Sequence, residues 1–403
     1  MPITFGRLAL PALLALLFWS NPARACNVPV FRFALERWPA DTYEVIVFHR
    51  GPLAPADKAL TDALAKHTDA DPARVNVILE LVDLAKRPEK ARLQLYESLK
   101  SQDLPLLVVR YPNTARIHED VWAGRLTPEV ARGLLDSPAR REVVRRIVSG
   151  DSAVWILLEG GDRAKDDAAA TLLQGELAKL EKELKLPQLT DDPEDKLAAK
   201  GPPLKLAFSL LRVRRNDPAE RLLVKMLTGL EPELTQPKYR DKPMAFAVFG
   251  RGRGMLPLVG AGITAPNILE VAQFLTGPCT CKVKEQNPGV DLLFAADWTA
   301  PADQQPTITL STGDVVVPLP PPPKQTAPPP AQTDPPAPAL VQPEAIAPPR
   351  QSESPQQPPP AQELTESGSH TLLVRNLLLA AAGGVVLVGL VSFLLIRKSK
   401  GLE

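Results

Sequence analysis

The sequence predicts an exported α/β protein: a βα module used twice, then a disordered proline-rich stalk and one transmembrane helix. Three observations predict this. First, one pattern occurs twice. Asp103-Leu104-Pro105-Leu106 opens an apolar run through Val109, followed by the helix start Thr127-Pro128 and by Pro138. Asp241-Lys242-Pro243-Met244 opens a run through Phe249, followed by Thr264-Ala265-Pro266 and by Pro278. The Asp-to-final-Pro spacings are 35 and 37 residues (138 − 103 and 278 − 241). Second, a short apolar run begins the chain and a 20-residue uncharged run, Leu377–Ile396, nearly ends it. Third, the 45 prolines of the 403 residues crowd into one stretch, 18 of them within residues 318–360.

Composition excludes several classes. With 47 basic and 46 acidic residues the net charge is +1, so no electrostatic footprint for nucleic acid is present. Aromatics make up only 5% and do not alternate with basic residues, which removes a stacking platform for single strands. Three cysteines cannot build a disulfide framework.

In chain order, Arg7 precedes the apolar run Leu8–Trp19, and Ala23-Arg24-Ala25 supplies small residues for cleavage, the three-part pattern of a secretory signal peptide over residues 1–25. Cleavage there makes Cys26 the first mature residue; lipidation of Cys26 is the sharper reading and an ordinary exported terminus the plainer one. The first module spans 26–150. Tyr43–Phe48, Val75–Val82 and Leu106–Val109 read as strands, Asp57–His67 and Glu89–Lys100 as helices, Val121–Leu126 as a short strand, and Pro128 to about Val148 as one long helix capped by Thr127. The second module spans 151–300 and repeats the order with Ala153–Leu158, Asp166–Lys185, Leu204–Val213, Pro218–Leu230, Met244–Phe249, Met255–Val259 and Pro266–Leu275. Pro187–Pro203 reads as an inserted loop.

This β-α-β-α-β-β-α order resembles the thioredoxin-like fold. The resemblance implies a cis proline before the third core strand, which Pro105 and Pro243 match by pattern. It also implies a Cys-x-x-Cys after the first strand, at a helix N-terminus that lowers the thiol pKa. Those positions hold His49-Arg50-Gly51-Pro52 and Glu159-Gly160-Gly161-Asp162, so the redox pair is missing from both modules. No catalytic residue and no cofactor follow from the resemblance.

The remaining chemistry lies in Cys26, Cys279 and Cys281. Cys279-Thr280-Cys281 can close a strained disulfide, join Cys26 in a soft metal site for Cu or Zn, or lend one thiol to a disulfide with Cys26. Gly250-Arg251-Gly252-Arg253-Gly254 reads as a hairpin turn with two solvated arginines rather than an anion cradle. Arg140, Arg141, Arg145 and Arg146 read as a solvated helix face.

Residues 301–370 form the linker, too rich in proline and too poor in apolar side chains to bury a core. Leu377–Ile396 covers about 30 Å as a helix, one bilayer core. Arg397, Lys398 and Lys400 follow it against Arg375 alone before it, which places the tail 397–403 in the cytoplasm and the modules outside, in the periplasm of a bacterial-type inner membrane. The spacing Ala380-x-x-x-Gly384 suits helix packing or lipid contact equally. The expected function is a non-catalytic binding or scaffolding protein with a protein partner in a membrane complex; the alternative is thiol-redox or soft-metal handling through the three cysteines.

Overall fold

In a computed structural model of the chain, the described residues are 26–70, 74–100, 103–279, 283–306 and 308. The signal segment, Cys281, the proline-rich stretch and Leu377–Ile396 lie outside them. Among the described residues no helix is long and apolar enough to cross a membrane.

The protein is a mixed α/β structure with two sheets and interleaved helices. The first sheet contains β1 (Tyr43–His49), β2 (Val77–Asp83), β3 (Leu106–Arg110) and β4 (Asp120–Arg125), in the order β2-β1-β3-β4. β1 runs parallel to β2 and antiparallel to β3, with Ile46 facing Val108, and β3 runs antiparallel to β4. The second sheet contains β5 (Ala153–Glu159), β6 (Phe208–Arg214), β7 (Met244–Phe249), β8 (Arg253–Gly254), β9 (Leu258–Val259) and β10 (Val290–Asp291). Its path is β10-β8-β7-β5-β6, with β9 also on β7, and again the first two strands are parallel while β7 is antiparallel to β5. The central strands are apolar at almost every position because both of their faces are buried.

Three apolar layers result. Ile46, Phe48, Leu106 and Val108 form the outer face of the first sheet under Tyr96 of α3 (Lys90–Ser98). Val45, Val47, Leu107 and Val109 face the other way and belong to one continuous core with Val154, Ile156, Phe246 and Val248 of the second sheet. That shared core includes Leu60 and Leu64 of α2 (Pro55–Ala70), Leu134 of α4 (Pro128–Leu135), Val143 and Ile147 of α5 (Pro138–Val148), and Leu223 and Leu227 of α7 (Arg221–Thr228). Trp155, Leu157 and Phe249 form the last face, covered by α6 (Arg163–Glu183) and α8 (Ala265–Thr276).

Several elements differ from the sequence reading. The helix expected from Pro128 to Val148 is two helices. Asp136 and Ser137 are extended (φ −155° and −156°), because the ring of Pro138 excludes the helical region for the residue before it. Thr127 and Ser137 each cap the helix that follows. An unexpected helix, α1 (Val30–Arg37), packs on the second sheet although it precedes the first. Asn27 donates to Asp195 through its backbone N–H (2.7 Å) and Nδ2 (2.9 Å), and Val30 N–H reaches Gly277 O at 3.0 Å. The 187–203 segment therefore clamps the residues that lead into α1, and Asp195 is buried at 2% exposure.

The Gly-Arg-Gly-Arg-Gly stretch does turn a hairpin, pairing Val248 with Gly254, but its arginines are not solvated. Arg251 donates to Leu35 O (2.8 Å) and Glu36 O (3.2 Å) at the end of α1. Arg253 is buried and pairs with Asp291 at 3.0 Å. Gly250 (φ +56°) lies so close to α1 that a Cβ would approach that of Ala34 to 2.6 Å, so helix and hairpin fit only without a side chain there. The four arginines of α5 also divide differently: Arg140 and Arg146 are buried, because the helix lies inside the shared core.

Candidate functional site

The turns after the first strand of each sheet are closed on themselves. In His49-Arg50-Gly51-Pro52, Gly51 N–H donates to Asp83 Oδ1 (2.9 Å) and Gly51 O lies 2.8 Å from His49 Nδ1. The Gly51 N–H, with that of Ala85, holds the Asp83 carboxyl below the usual aspartate range. In the second turn Asp166 accepts from Gly160 N–H (2.8 Å) and Gly161 N–H (3.0 Å). A carboxylate thus binds the backbone donors where a thiolate would need them.

The Leu104–Pro105 peptide is cis. Lys242–Pro243 is not among the cis bonds, which corrects the expectation for Pro243. The chain enters Pro243 from a short turn at Pro237–Tyr239, with Lys242 O accepting from Arg215 (3.2 Å), and the default trans bond meets those contacts.

Cys26 and Cys279 are buried in the same apolar cluster. They do not bond each other: Cys26 is a thiol whose Sγ donates to Glu194 O at 3.2 Å. The bridge Pro29↔Pro278, with Cys279 N–H donating to Val28 O (2.9 Å), sets Cys279 opposite Val28 rather than Cys26. Among the described residues no three His, Cys, Asp or Glu side chains converge as a metal site; Cys281 lies outside them. At 1% exposure Cys26 is expected to resist alkylation by iodoacetamide in the folded protein and to react fully in denaturant, as peptide mapping would read.

The main cavity lies where the two sheets' helices meet. It measures about 260 Å³ and is open on one side. Trp122 of β4 with Val130 and Gly133 of α4 line one wall, and Pro138, Pro218 and Leu222 the other. At this size, below the roughly 300–1,000 Å³ of clefts that enclose drug-sized molecules, it takes one or two side chains of a larger ligand. Trp122 faces Val109 across the sheet and lies over Gly124, where a Cβ would come within 3.3 Å of the indole Nε1. That Nε1 is buried with no hydrogen-bond acceptor. The Arg221 guanidinium stacks on the Trp122 ring at 5.9 Å.

Charged side chains of both signs lie on the rim. Its acidic groups are engaged. Asp136 pairs with Arg141. The Glu129 carboxyl is held below the usual range by its own backbone N–H and the Thr127 hydroxyl. No side-chain hydrogen bond or ion pair engages Arg132 or Arg221 among the described residues, and Arg221 lies over the Trp122 ring.

Behind the cleft, Glu220 fixes the two walls. It accepts from Ser137 Oγ (2.5 Å) and Ala139 N–H (2.7 Å), filling the N-terminus of α5 from the turn that begins α7. Burial raises its carboxyl above the usual range against those bonds. Sequence reasoning missed Trp122, Arg132, Glu220 and Arg221. The one available signal was the pair of Ser/Thr-Pro helix starts at Thr127 and Ser137, which mark two helix N-termini rather than one.

Compared with known protein families, curated proteins and solved structures, the chain matches none of them.

Proposed function

We propose that this chain is a membrane-anchored extracytoplasmic binding protein, in which two redox-inactive thioredoxin-like modules share a core and bind a short apolar segment in the cleft between them. The observation that carries this reading is the cleft itself: both modules line it and its walls are largely apolar. The closed turns at His49–Pro52 and Glu159–Asp162 support a binding role over thiol chemistry. The signal pattern of residues 1–25 and the 377–396 run support the address: modules outside, anchor in the inner membrane, tail in the cytoplasm.

Gly133 provides the test. It lines the cleft, and a Cβ built on it meets nothing within 4 Å, so Gly133→Trp starts from an open position and brings a bulky ring to the cleft. Losing a helical glycine also favours α4 by roughly a few tenths of a kcal/mol. Full-length protein solubilised from its native membrane is expected to lose its co-purifying partner on Gly133→Trp and to keep it on Arg163→Ala, an exposed control at the start of α6 and outside the cleft lining. Equal partner recovery from both variants would refute the reading.

A further inference from the structure

We infer that the free edge of β2 is a self-association site, at which two copies of this chain pair β2 with β2 antiparallel about a two-fold axis at Leu79. The cleft plays no part in this, since its Trp122 lies on β4, the opposite edge of the same sheet.

The first ground is that this edge is unguarded. Among the described residues β2 pairs with β1 alone, in unbroken register from Val77 to Asp83. Its other side therefore carries a row of main-chain donors and acceptors with no strand to meet them. The remaining edges are each blunted. β4 has a register shift opposite Val109 and Arg110 and lies against α7. β6 ends in the exposed Arg212 and Arg214, and β9 and β10 are two residues each. β2 has none of these devices: Val77-Ile78-Leu79-Glu80-Leu81-Val82 contains no proline, lysine or bulge. Its one internal charge is compensated, because Glu80 pairs with Arg92 at 2.6 Å, and Arg92 also holds Glu44 of β1 at 2.6 Å. Ile78 is left 63% exposed and Leu81 45%, on opposite faces of the strand.

The second ground is that the strand complements itself in one register. Facing residues of an antiparallel pair point to the same side of the sheet, so a residue on the axis must face its own copy. With Leu79 on the axis, Leu79 meets the partner's Leu79 and Val77 meets the partner's Leu81, an unbroken apolar ladder on one face. On the other face Ile78 meets the stem of the partner's Glu80 and has the partner's Ile78 diagonal to it, so both exposed side chains are covered. An axis at Glu80 sets two carboxylates opposite each other, which destabilises the pair. An axis at Leu81 sets Asp83 against Leu79 and runs the pairing into the turn Leu84–Lys86. An axis at Ile78 runs it into Val75, which already bridges Ala295. The strand that fits this edge is therefore its own copy.

Sedimentation velocity of the full-length, detergent-solubilised protein tests this. The seam is short, so wild type is expected to pass from monomer to dimer between about 1 and 100 μM. Ile78→Lys combined with Leu81→Lys is expected to raise the dissociation constant at least about a hundredfold, because the axis repeats each change and four side chains leave the seam. Both positions are exposed, so the melting temperature at low concentration is expected to stay within about 2 °C of wild type. The register is read by oxidising single-cysteine variants in a Cys281→Ser background, where Cys26 and Cys279 are buried. Leu79→Cys is expected to link two copies, since facing Cα atoms lie about 4.5–5.5 Å apart and a disulfide spans about 4.4–6.8 Å. Glu80→Cys is expected to stay unlinked. A wild-type monomer at about 200 μM would overturn the inference, as would a dimer that survives both lysines. A link through Glu80→Cys in place of Leu79→Cys would remove the register that selects a second copy, and overturn it too. None of these changes touches the cleft, so the loss of a partner on Gly133→Trp is decided separately.

Discussion

Arg140→Met is expected to destabilise the protein by about 4 kcal/mol, close to the roughly 3–5 kcal/mol lost when one side of a buried charged network is removed. Arg140 is 2% exposed and makes four side-chain bonds. It donates to Gly133 O and to Leu134 O (3.0 Å), carbonyls in the last turn of α4 that have no partner within the helix. It also donates to Leu293 O (3.2 Å), in the segment after β10, and to Ser137 Oγ (3.2 Å). One guanidinium therefore ends a helix, holds the break before the next and ties in an extended segment some 150 residues away. Methionine fills the volume but leaves three buried carbonyls unsatisfied, at about 1–3 kcal/mol each before relaxation. Lysine is a poor substitute because a point charge cannot reproduce the planar fork. Urea melts followed by circular dichroism measure this against Arg163→Ala, expected within about 0.5 kcal/mol of the parent. A loss under about 1 kcal/mol for Arg140→Met would show that the junction is not organised around this residue.

Glu220 carries the second large effect, and its sign depends on pH. Glu220→Ala removes the acceptor of the Ala139 N–H at the buried start of α5 and of the Ser137 hydroxyl, an expected loss of about 3 kcal/mol. Glu220→Gln keeps an acceptor for Ala139 and is expected to cost far less. The wild-type carboxyl is raised in the folded state by burial, so the folded protein holds its proton to higher pH than the unfolded chain does. Stability from this group is therefore fully present below the unfolded glutamate pKa of about 4.3 and declines as pH rises through the raised folded value. Midpoints of urea unfolding from pH 4 to 7 are expected to fall for wild type relative to Glu220→Gln and then run parallel. The opposite slope would mean that the Ser137 and Ala139 bonds, together with Arg140, outweigh burial.

Much of the α/β pattern was legible because it rests on local rules. Continuous apolar runs bounded by Gly and Pro gave β1, β3, β5 and β7, and Thr127-Pro128 gave the start of α4. What the sequence hid is what tertiary context decides. The Ser137-Pro138 step breaks a helical pattern that periodicity alone carries through. α1 escaped notice because its eight residues make only about two turns, too few for a periodic stripe to stand out, and Arg32 within it is buried. Arg140, Arg146, Arg251 and Arg253 read as solvated because their carbonyl and carboxylate partners lie far along the chain. The candidate site was the least legible part. Its lining comes from segments near residues 122, 130 and 220, and nothing in the local sequence of any of them announces the other two.

The cleft at the junction of the two sheets, lined from both modules, is proposed to hold a short apolar segment of a protein partner. Partner recovery from detergent-solubilised full-length protein decides this, with Gly133→Trp set beside the surface control Arg163→Ala. Recovery is expected to fall at least about tenfold on Gly133→Trp, a difference of about 1.4 kcal/mol in affinity, and to stay at the wild-type level on Arg163→Ala. Equal recovery from both variants would show that the cleft does not hold the partner.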